Sequence, residues 1–270
     1  MTNHSDKSKR LLPDSKNLSV RAQSAGIEAT FEVFETIDST QTYLLNQPVA
    51  ELSHGRTVLA GVQTAGRGRL DRTWSTGEGE GLLMSTVVRL PLQDHRLSLL
   101  PMAVGVGVAQ AVAGYLPQVQ LKWPNDVVVA DEHHLFKLGG IVIALHPEGG
   151  GESVCVIGIG LNLMISEADR PIANARSLAD FITDIPEIEE IAVAVLAHVH
   201  SALQGSSARI LQTYSQLCCT LGRAVKVELP NGETFEGLAT AIAPDGGIEV
   251  TDGKVTKTFR TADIQHLFTA

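Results

Sequence analysis

From residue 31 onward, short apolar runs alternate with amphipathic stretches, and the two spacings predict strands and helices in turn. Phe31–Thr36 predicts a strand, and Asp38-Ser39-Thr40 offers carboxylate and hydroxyl caps for a helix through Asn46. Thr57–Gln63 predicts an apolar strand entering a glycine- and arginine-rich loop, and Gly81–Leu90 the strand leaving it. His95–Leu116 is largely apolar and long enough for a buried helix. Gly105-Val106-Gly107 within it is not a dinucleotide fingerprint, because Gln110 takes the third glycine position and no strand leads in directly; close helix packing is the expected use.

Four strand candidates follow: Val119–Trp123, Asp126–Ala130, Lys137–Leu145 and Ser153–Leu163. The Val/Ile runs among them suit strands covered on both faces. Glu187–Leu203 places Ile188, Ile191, Val195 and Val199 at helical spacing, and Ser207–Cys219 predicts another helix. At Gly222 the period changes from helical to alternating. Val225, Val227 and Leu229 precede Pro230-Asn231-Gly232, a hairpin signal, and the rest of Gly222–Ala270 continues as short strands. A small barrel with its boundary near residue 221 is expected. Residues 1–30, polar and rich in Lys and Arg, are expected to be a flexible arm and carry no signal peptide.

Length and composition narrow the field. At 270 residues and 44% hydrophobic the chain can bury a full core. A net charge of −9 argues against nonspecific nucleic-acid binding, yet leaves room for one local basic site. Cys155, Cys218 and Cys219 form no disulfide framework, which suits a reducing cytoplasm. No 18-residue apolar run free of glycine and charge predicts a membrane span, and His133-His134 lacks partners at zinc-ligand spacing.

Against that acidic background, Gly66-Arg67-Gly68-Arg69-Leu70-Asp71-Arg72-Thr73-Trp74 stands out. Arginines bind carboxylates and phosphates through a fixed fork of donors, and glycines let backbone approach a ligand. By itself the loop also fits a solvated turn. A second cluster changes the balance: Lys122-Trp123-Pro124-Asn125-Asp126, followed by Lys137-Leu138-Gly139-Gly140-Ile141. Gly158-Ile159-Gly160-Leu161-Asn162 closes the series on a late strand.

In this order and spacing, the Asp-Ser-Thr cap and the four later motifs resemble the biotin protein ligases, from about residue 31 to the C-terminus. The resemblance implies an α+β fold: a mixed β-sheet packed with helices, like the class II aminoacyl-tRNA synthetase and biotin protein ligase core, over residues 31–221. A small SH3-like β-barrel over 222–270 would follow. It implies an ATP-dependent ligase that joins the biotin carboxylate to the α-phosphate of ATP, releases pyrophosphate, and passes biotin to one lysine of a carrier. The partner would be the biotin carboxyl carrier domain of acetyl-CoA or another acyl-CoA carboxylase.

By the same resemblance Lys137 contacts the biotin carboxylate and the transferring phosphate, and Arg67, Arg69 and Arg72 hold the triphosphate and the acyl-adenylate. Gly66 and Gly68 let the loop fold over them, and the loop is expected to be mobile until ligand arrives. Ser39, Thr40 and Gln63 bind the ureido ring, and Gly139 and Gly140 admit biotin to the backbone. Trp74 packs on the adenine side, or anchors the strand after the loop. Asn125 and Asn162 bind the nucleotide or position the metal, and Asp126 helps bind Mg²⁺, which takes few carboxylates beside ATP. The expected protein is cytoplasmic, a monomer or weak homodimer, with no membrane or DNA partner, since about thirty polar residues are too few for a DNA-binding domain. Leu70-Asp71, Gln41 and Gly139 depart from the usual pattern, where a variable residue with glycine, asparagine and alanine are common. The rivals are a lipoate or octanoate ligase or transferase of the same core fold, a corepressor-dependent repressor, and a binding module on an inactive scaffold.

Overall fold

The computed structural model describes residues 12–70, 72–131, 133–146 and 151–267. Seven strands form the main sheet: β1 (Thr30–Ile37), β2 (Arg56–Gln63), β3 (Gly81–Pro91), β4 (Val119–Lys122), β5 (Asp126–Ala130), β6 (Leu135–Leu145) and β7 (Glu152–Asn162), in the order β1-β2-β3-β7-β6-β5-β4. Only β1 and β2 are parallel among the pairs described; β2–β3, β3–β7, β6–β7 and β4–β5 are antiparallel, so the sheet is mixed. The helices are α1 (Ser15–Ser24), α2 (Thr40–Leu45), α3 (Leu100–Ala113), α4 (Ile188–Gln204) and α5 (Ser207–Leu217). A second, five-stranded antiparallel sheet holds β8 (Ala224–Glu228), β9 (Thr234–Ile242), β10 (Ile248–Thr251), β11 (Thr256–Phe259) and β12 (Asp263–His266), in the order β11-β10-β9-β8-β12.

The elements expected from periodicity are present, with two departures. The arm expected over residues 1–30 contains α1. Asp14 caps it by accepting the Lys16 amide at 2.8 Å, Leu18 and Ala22 are buried, and Arg21 pairs with Glu187 at 2.5 Å. A mostly polar helix needs only two apolar residues four apart to dock, a signal that its charge obscures. Residues 1–11 lie outside the described residues. The long helix expected over His95–Leu116 opens instead as a 3₁₀ turn, His95–Leu99, before α3. Pro101 explains the restart, because proline lacks the N–H that a first helical turn leaves unused. The stretch His95–Ala113 is long and apolar enough to cross a membrane, but most of it is buried within the fold.

The chain divides into two compact units, Met1–Leu92 with Gly139–Ala194, and Gln93–Leu138 with Val195–Ala270. The boundary expected near residue 221 separates the two sheets but not these units. In the first unit, Leu44, Leu52, Val58, Val87, Val154 and Val156 form a core under α2. In the second, the five-stranded sheet shares its interior with earlier chain. The buried Trp123 indole donates to the Gly246 carbonyl at 3.0 Å, and the Cys219 amide donates to the Leu121 carbonyl at 2.9 Å. Gly107 serves close packing, as expected: a Cβ there would sit 2.6 Å from the Val199 backbone of α4.

Candidate active site

In the first unit, the end of β2, the start of α2 and the middle of β3 bring three polar side chains together. Ser39 caps α2, its hydroxyl accepting the Thr42 amide at 3.3 Å. This is the local reason the chain turns into helix here. Thr40 sends both its amide (2.7 Å) and its hydroxyl (3.0 Å) to Gln63 Oε1. Its hydroxyl also meets Ser85 Oγ at 2.7 Å. With Thr40 donating to Gln63, Ser85 must donate to Thr40, so the chain of protons has one direction. Gln63 Nε2 then faces Gly66, where an added Cβ would come within 3.0 Å of it. Ser39, Thr40 and Ser85 are all buried. The sequence reading placed Ser39, Thr40 and Gln63 here but missed Ser85; its one signal is a Ser-Thr pair interrupting the apolar run of Gly81–Leu90. Gln41 is also buried and donates to the Val142 and Val156 carbonyls at 3.0 and 3.1 Å, which ties α2 to β6 and β7.

The Gly66–Trp74 segment is a hairpin. Trp74 donates its amide to Gly66 O at 2.9 Å, Gly68 to Arg72 O at 2.6 Å, and Arg72 to Arg69 O at 3.1 Å, while Arg67 bridges Thr73. Gly66 is required by crowding and not by a left-handed backbone, since a Cβ would lie 2.4 Å from Trp74 O. The left-handed residue is Leu70, at φ 51°. Arg67 and Arg72 are exposed and Arg69 is half-buried. Trp74 is half-buried, with its ring against β7, where a Cβ on Gly160 would meet Trp74 Cε2 at 2.5 Å. Gly139 and Gly140 sit opposite Leu161 and Gly160 in the β6–β7 register. Asn162, buried at the end of β7, donates its amide to the Arg176 carbonyl at 3.0 Å.

In the second unit, Trp123, Pro124 and Asn125 form the tip of the β4–β5 hairpin, where Lys122 pairs with Asp126. The turn reading and the polar-presenting reading of this motif both fit: Trp123 is buried while Asn125 and Asp126 remain half-exposed. Trp123 also donates its amide to Thr220 Oγ1 at 3.1 Å, and that hydroxyl meets buried His266 Nε2 at 3.1 Å. Burial, reinforced by the charges of Lys122 and Arg223, pushes His266 down to about 4, so the ring is neutral at pH 7. Lys137 Nζ stands 2.7 Å from Asp126 Oδ1. The resemblance implies separate tasks for these two residues, and the structure couples them.

Two family models match the chain: the biotin/lipoate A/B protein ligase family over residues 33–162, and the biotin protein ligase C-terminal domain over residues 220–267. The chain belongs to the biotin protein ligase family. Between them the two models take in every candidate residue from Thr40 to Asn162 and the whole five-stranded sheet. Among relatives, the chain is 28% identical to a biotin–[acetyl-CoA-carboxylase] ligase of Mycobacterium tuberculosis, over 96% of this chain and 98% of that one. It is 27% identical to the bifunctional ligase/repressor BirA of Escherichia coli, over 86% of this chain and 72% of the relative. Among solved structures, the biotin protein ligase of Aquifex aeolicus in complex with biotin and ATP superimposes with a TM-score of 0.72 at 25% identity, over 88% and 99% of the two chains.

Among the described residues no group of three His, Cys, Asp or Glu side chains could hold a metal. Asp126 is therefore a single carboxylate, with one oxygen engaged by Lys137. That donor set does not make a protein cage. It does fit Mg²⁺, which keeps most of its waters and takes one or two carboxylates beside substrate phosphates.

Proposed function

We propose that this chain is an ATP-dependent biotin protein ligase that forms biotinyl-5′-AMP and pyrophosphate, then transfers biotin to a lysine of a biotin carboxyl carrier domain. The Thr40–Gln63–Ser85 cluster, in which Thr40 and Ser85 are buried and Gln63 half-buried, carries the choice of substrate. A ureido ring has two N–H donors and a carbonyl acceptor to exchange with such a cluster. The dithiolane of lipoate has neither and would leave the buried polar groups unpaired, a mismatch worth up to ~10⁴–10⁵ in discrimination. The match to a biotin protein ligase C-terminal domain supports the same choice over the lipoate alternative.

The chemistry asks for fixed cations. In the first step the biotin carboxylate oxygen bonds to the α-phosphorus of ATP while the bond to the bridging oxygen of pyrophosphate breaks. Negative charge builds on groups that are already anionic. Arg67, Arg69 and Arg72 supply guanidinium donors from the hairpin, and Lys137 the ammonium at the carboxylate and the transferring phosphate. Asp126 holds Lys137 in place, so the amine does not have to be ordered as the reaction proceeds. Mg²⁺ brought with ATP would sit beside Asp126 and reduce repulsion among the phosphates. In the second step the acceptor amine attacks the acyl carbon, AMP leaves, and the amine loses its proton. Asn125 and Asn162 would hold the nucleotide and Trp74 its base, with Ser39, Gly66, Gly139 and Gly140 shaping the biotin side. The three described cysteines are free and buried, which supports a cytoplasmic setting. A monomer or weak homodimer without a DNA role completes the proposal.

Incubation with ATP, Mg²⁺, biotin and a carrier domain, followed by mass spectrometry, tests the overall reaction. One biotinyl group on one carrier lysine is expected. An unmodified carrier, with the same protein active on lipoate, would overturn the assignment.

A further inference from the structure

Asn162 owes its orientation to residues downstream of β7 that have no place in the chemistry above. Its Nδ2 donates to the carbonyl of Arg176 at 3.0 Å. That carbonyl shares one peptide plane with the Ser177 amide, which donates to Asp180 Oδ2 at 2.7 Å. The Ser177 hydroxyl donates to the same oxygen at 2.9 Å. Asp180's other oxygen receives Arg170 Nη2 at 2.6 Å. The Ala179 amide returns to the Leu163 carbonyl at 3.0 Å, beside Asn162. Arg170, Asp180 and Ser177 thus fix a single peptide group from its N–H side, and Asn162 reads its C=O side.

A carbonyl oxygen can only accept, so this fixed peptide also decides which way the Asn162 amide faces. Its nitrogen must point to Arg176, and its oxygen takes the opposite direction as an acceptor. A peptide free to rotate would let the amide flip, and an Asn offering N–H₂ recognises a different partner from one offering C=O. Both Asn162 and Ser177 are buried, where a wrongly directed polar group is costly.

We infer that Asp180, braced by Arg170, is a positioning residue for nucleotide recognition: it locks the Arg176–Ser177 peptide and thereby sets Asn162 to accept a hydrogen bond from the base. The inference rests on the proposed contact between Asn162 and the nucleotide. Neither Asp180 nor Arg170 touches substrate in this scheme. Their effect should therefore fall on ATP and be transmitted wholly through Asn162.

A double-mutant cycle with Asn162→Ala and Asp180→Ala, measured as steady-state biotinylation of a carrier domain, separates the possibilities. Asp180→Ala is expected to raise the KM for ATP by about 3- to 10-fold, the range of one misdirected buried hydrogen bond. The KM for biotin and kcat should stay within about twofold of the parent. In the Asn162→Ala background, Asp180→Ala should add nothing further. Ser177→Ala keeps the backbone N–H and should change the KM for ATP much less than Asp180→Ala does. Arg170→Gln leaves the Asp180–Ser177 contacts intact and should shift the KM for ATP in the same direction by less, which provides a reading should Asp180→Ala fail to fold. Equal rises in both KM values, or an Asp180 effect of full size in the absence of Asn162, would overturn the inference. If Asn162→Ala raises the KM for ATP but neither Asp180→Ala nor Arg170→Gln does, the positioning role alone fails. An unchanged KM for ATP in Asn162→Ala would sink the contact itself.

Discussion

At Thr40, an amide and a hydroxyl converge on one acceptor, and the Ser85 hydroxyl feeds the Thr40 hydroxyl from behind. Thr40→Val keeps the shape but removes the hydroxyl, leaving buried Ser85 without its acceptor and Gln63 Oε1 with the Thr40 amide as its remaining donor from that residue. The KM for biotin is expected to rise about tenfold, equivalent to ~1–2 kcal/mol, with the KM for ATP unchanged. Steady-state kinetics with each substrate varied in turn checks the split, and a rise confined to ATP would place the cluster in the wrong subsite. Lys137 carries a different prediction, because the proposed mechanism sets its charge at the reacting groups. Lys137→Ala should fold normally by circular dichroism and lose ~10²–10³ in biotin-dependent pyrophosphate exchange. A parent-like rate would show that another cation does the work. The motif pattern pointed to both residues, but Ser85 and the Lys137–Asp126 pair were not legible. A serine within a strand and a lysine eleven positions after an aspartate acquire meaning only once the strands are in register.

Among elements, the hairpin at 66–74 and the turn at 123–125 each contain a tryptophan, and the structure gives the two rings different tasks. Trp123 is buried, with its indole N–H fixed on the Gly246 carbonyl. Trp74 is half-buried and leans on Gly160 beside the arginines. The intrinsic fluorescence response to biotin plus ATP should therefore survive in Trp123→Phe and vanish in Trp74→Phe. Gly160→Ala tests the same contact from the other side. The added methyl would displace the indole ring, so the KM for ATP should rise while the thermal midpoint stays within a few degrees, because the half-buried ring can give way. Strand and helix positions were largely legible because hydrophobic period reports which face is buried, as the alternating burial of β4, β8 and β10 shows, while β3 and β7 are continuous apolar runs buried along nearly their whole length. Helix α1 and the restart at Pro101 were less so. Each depends on a local exception, a two-residue apolar stripe in one case and a missing N–H in the other.

Across the whole molecule, the partition of the chain was the feature least available from sequence. Composition changes at residue 222, whereas the compact units follow contacts made by Trp123, Thr220, Gly246 and Leu121. His266 gives this arrangement a pH signature. Its ordinary value of 6.5 falls to about 4 on burial, so the unfolded chain takes up the proton before the folded one does. Its contribution to stability is complete above pH 6.5 and is lost as the pH falls toward and through 4. Urea midpoints should accordingly drop between pH 7 and pH 5, and His266→Gln should flatten part of that slope. A slope identical in parent and variant would remove His266 as the cause. The central claim, a buried hydrogen-bonding site for a ureido ring coupled to carboxylate activation, is tested most directly by ATP–pyrophosphate exchange with biotin and with lipoate supplied separately. Exchange with biotin and little or none with lipoate is the predicted result; exchange with lipoate alone would contradict it.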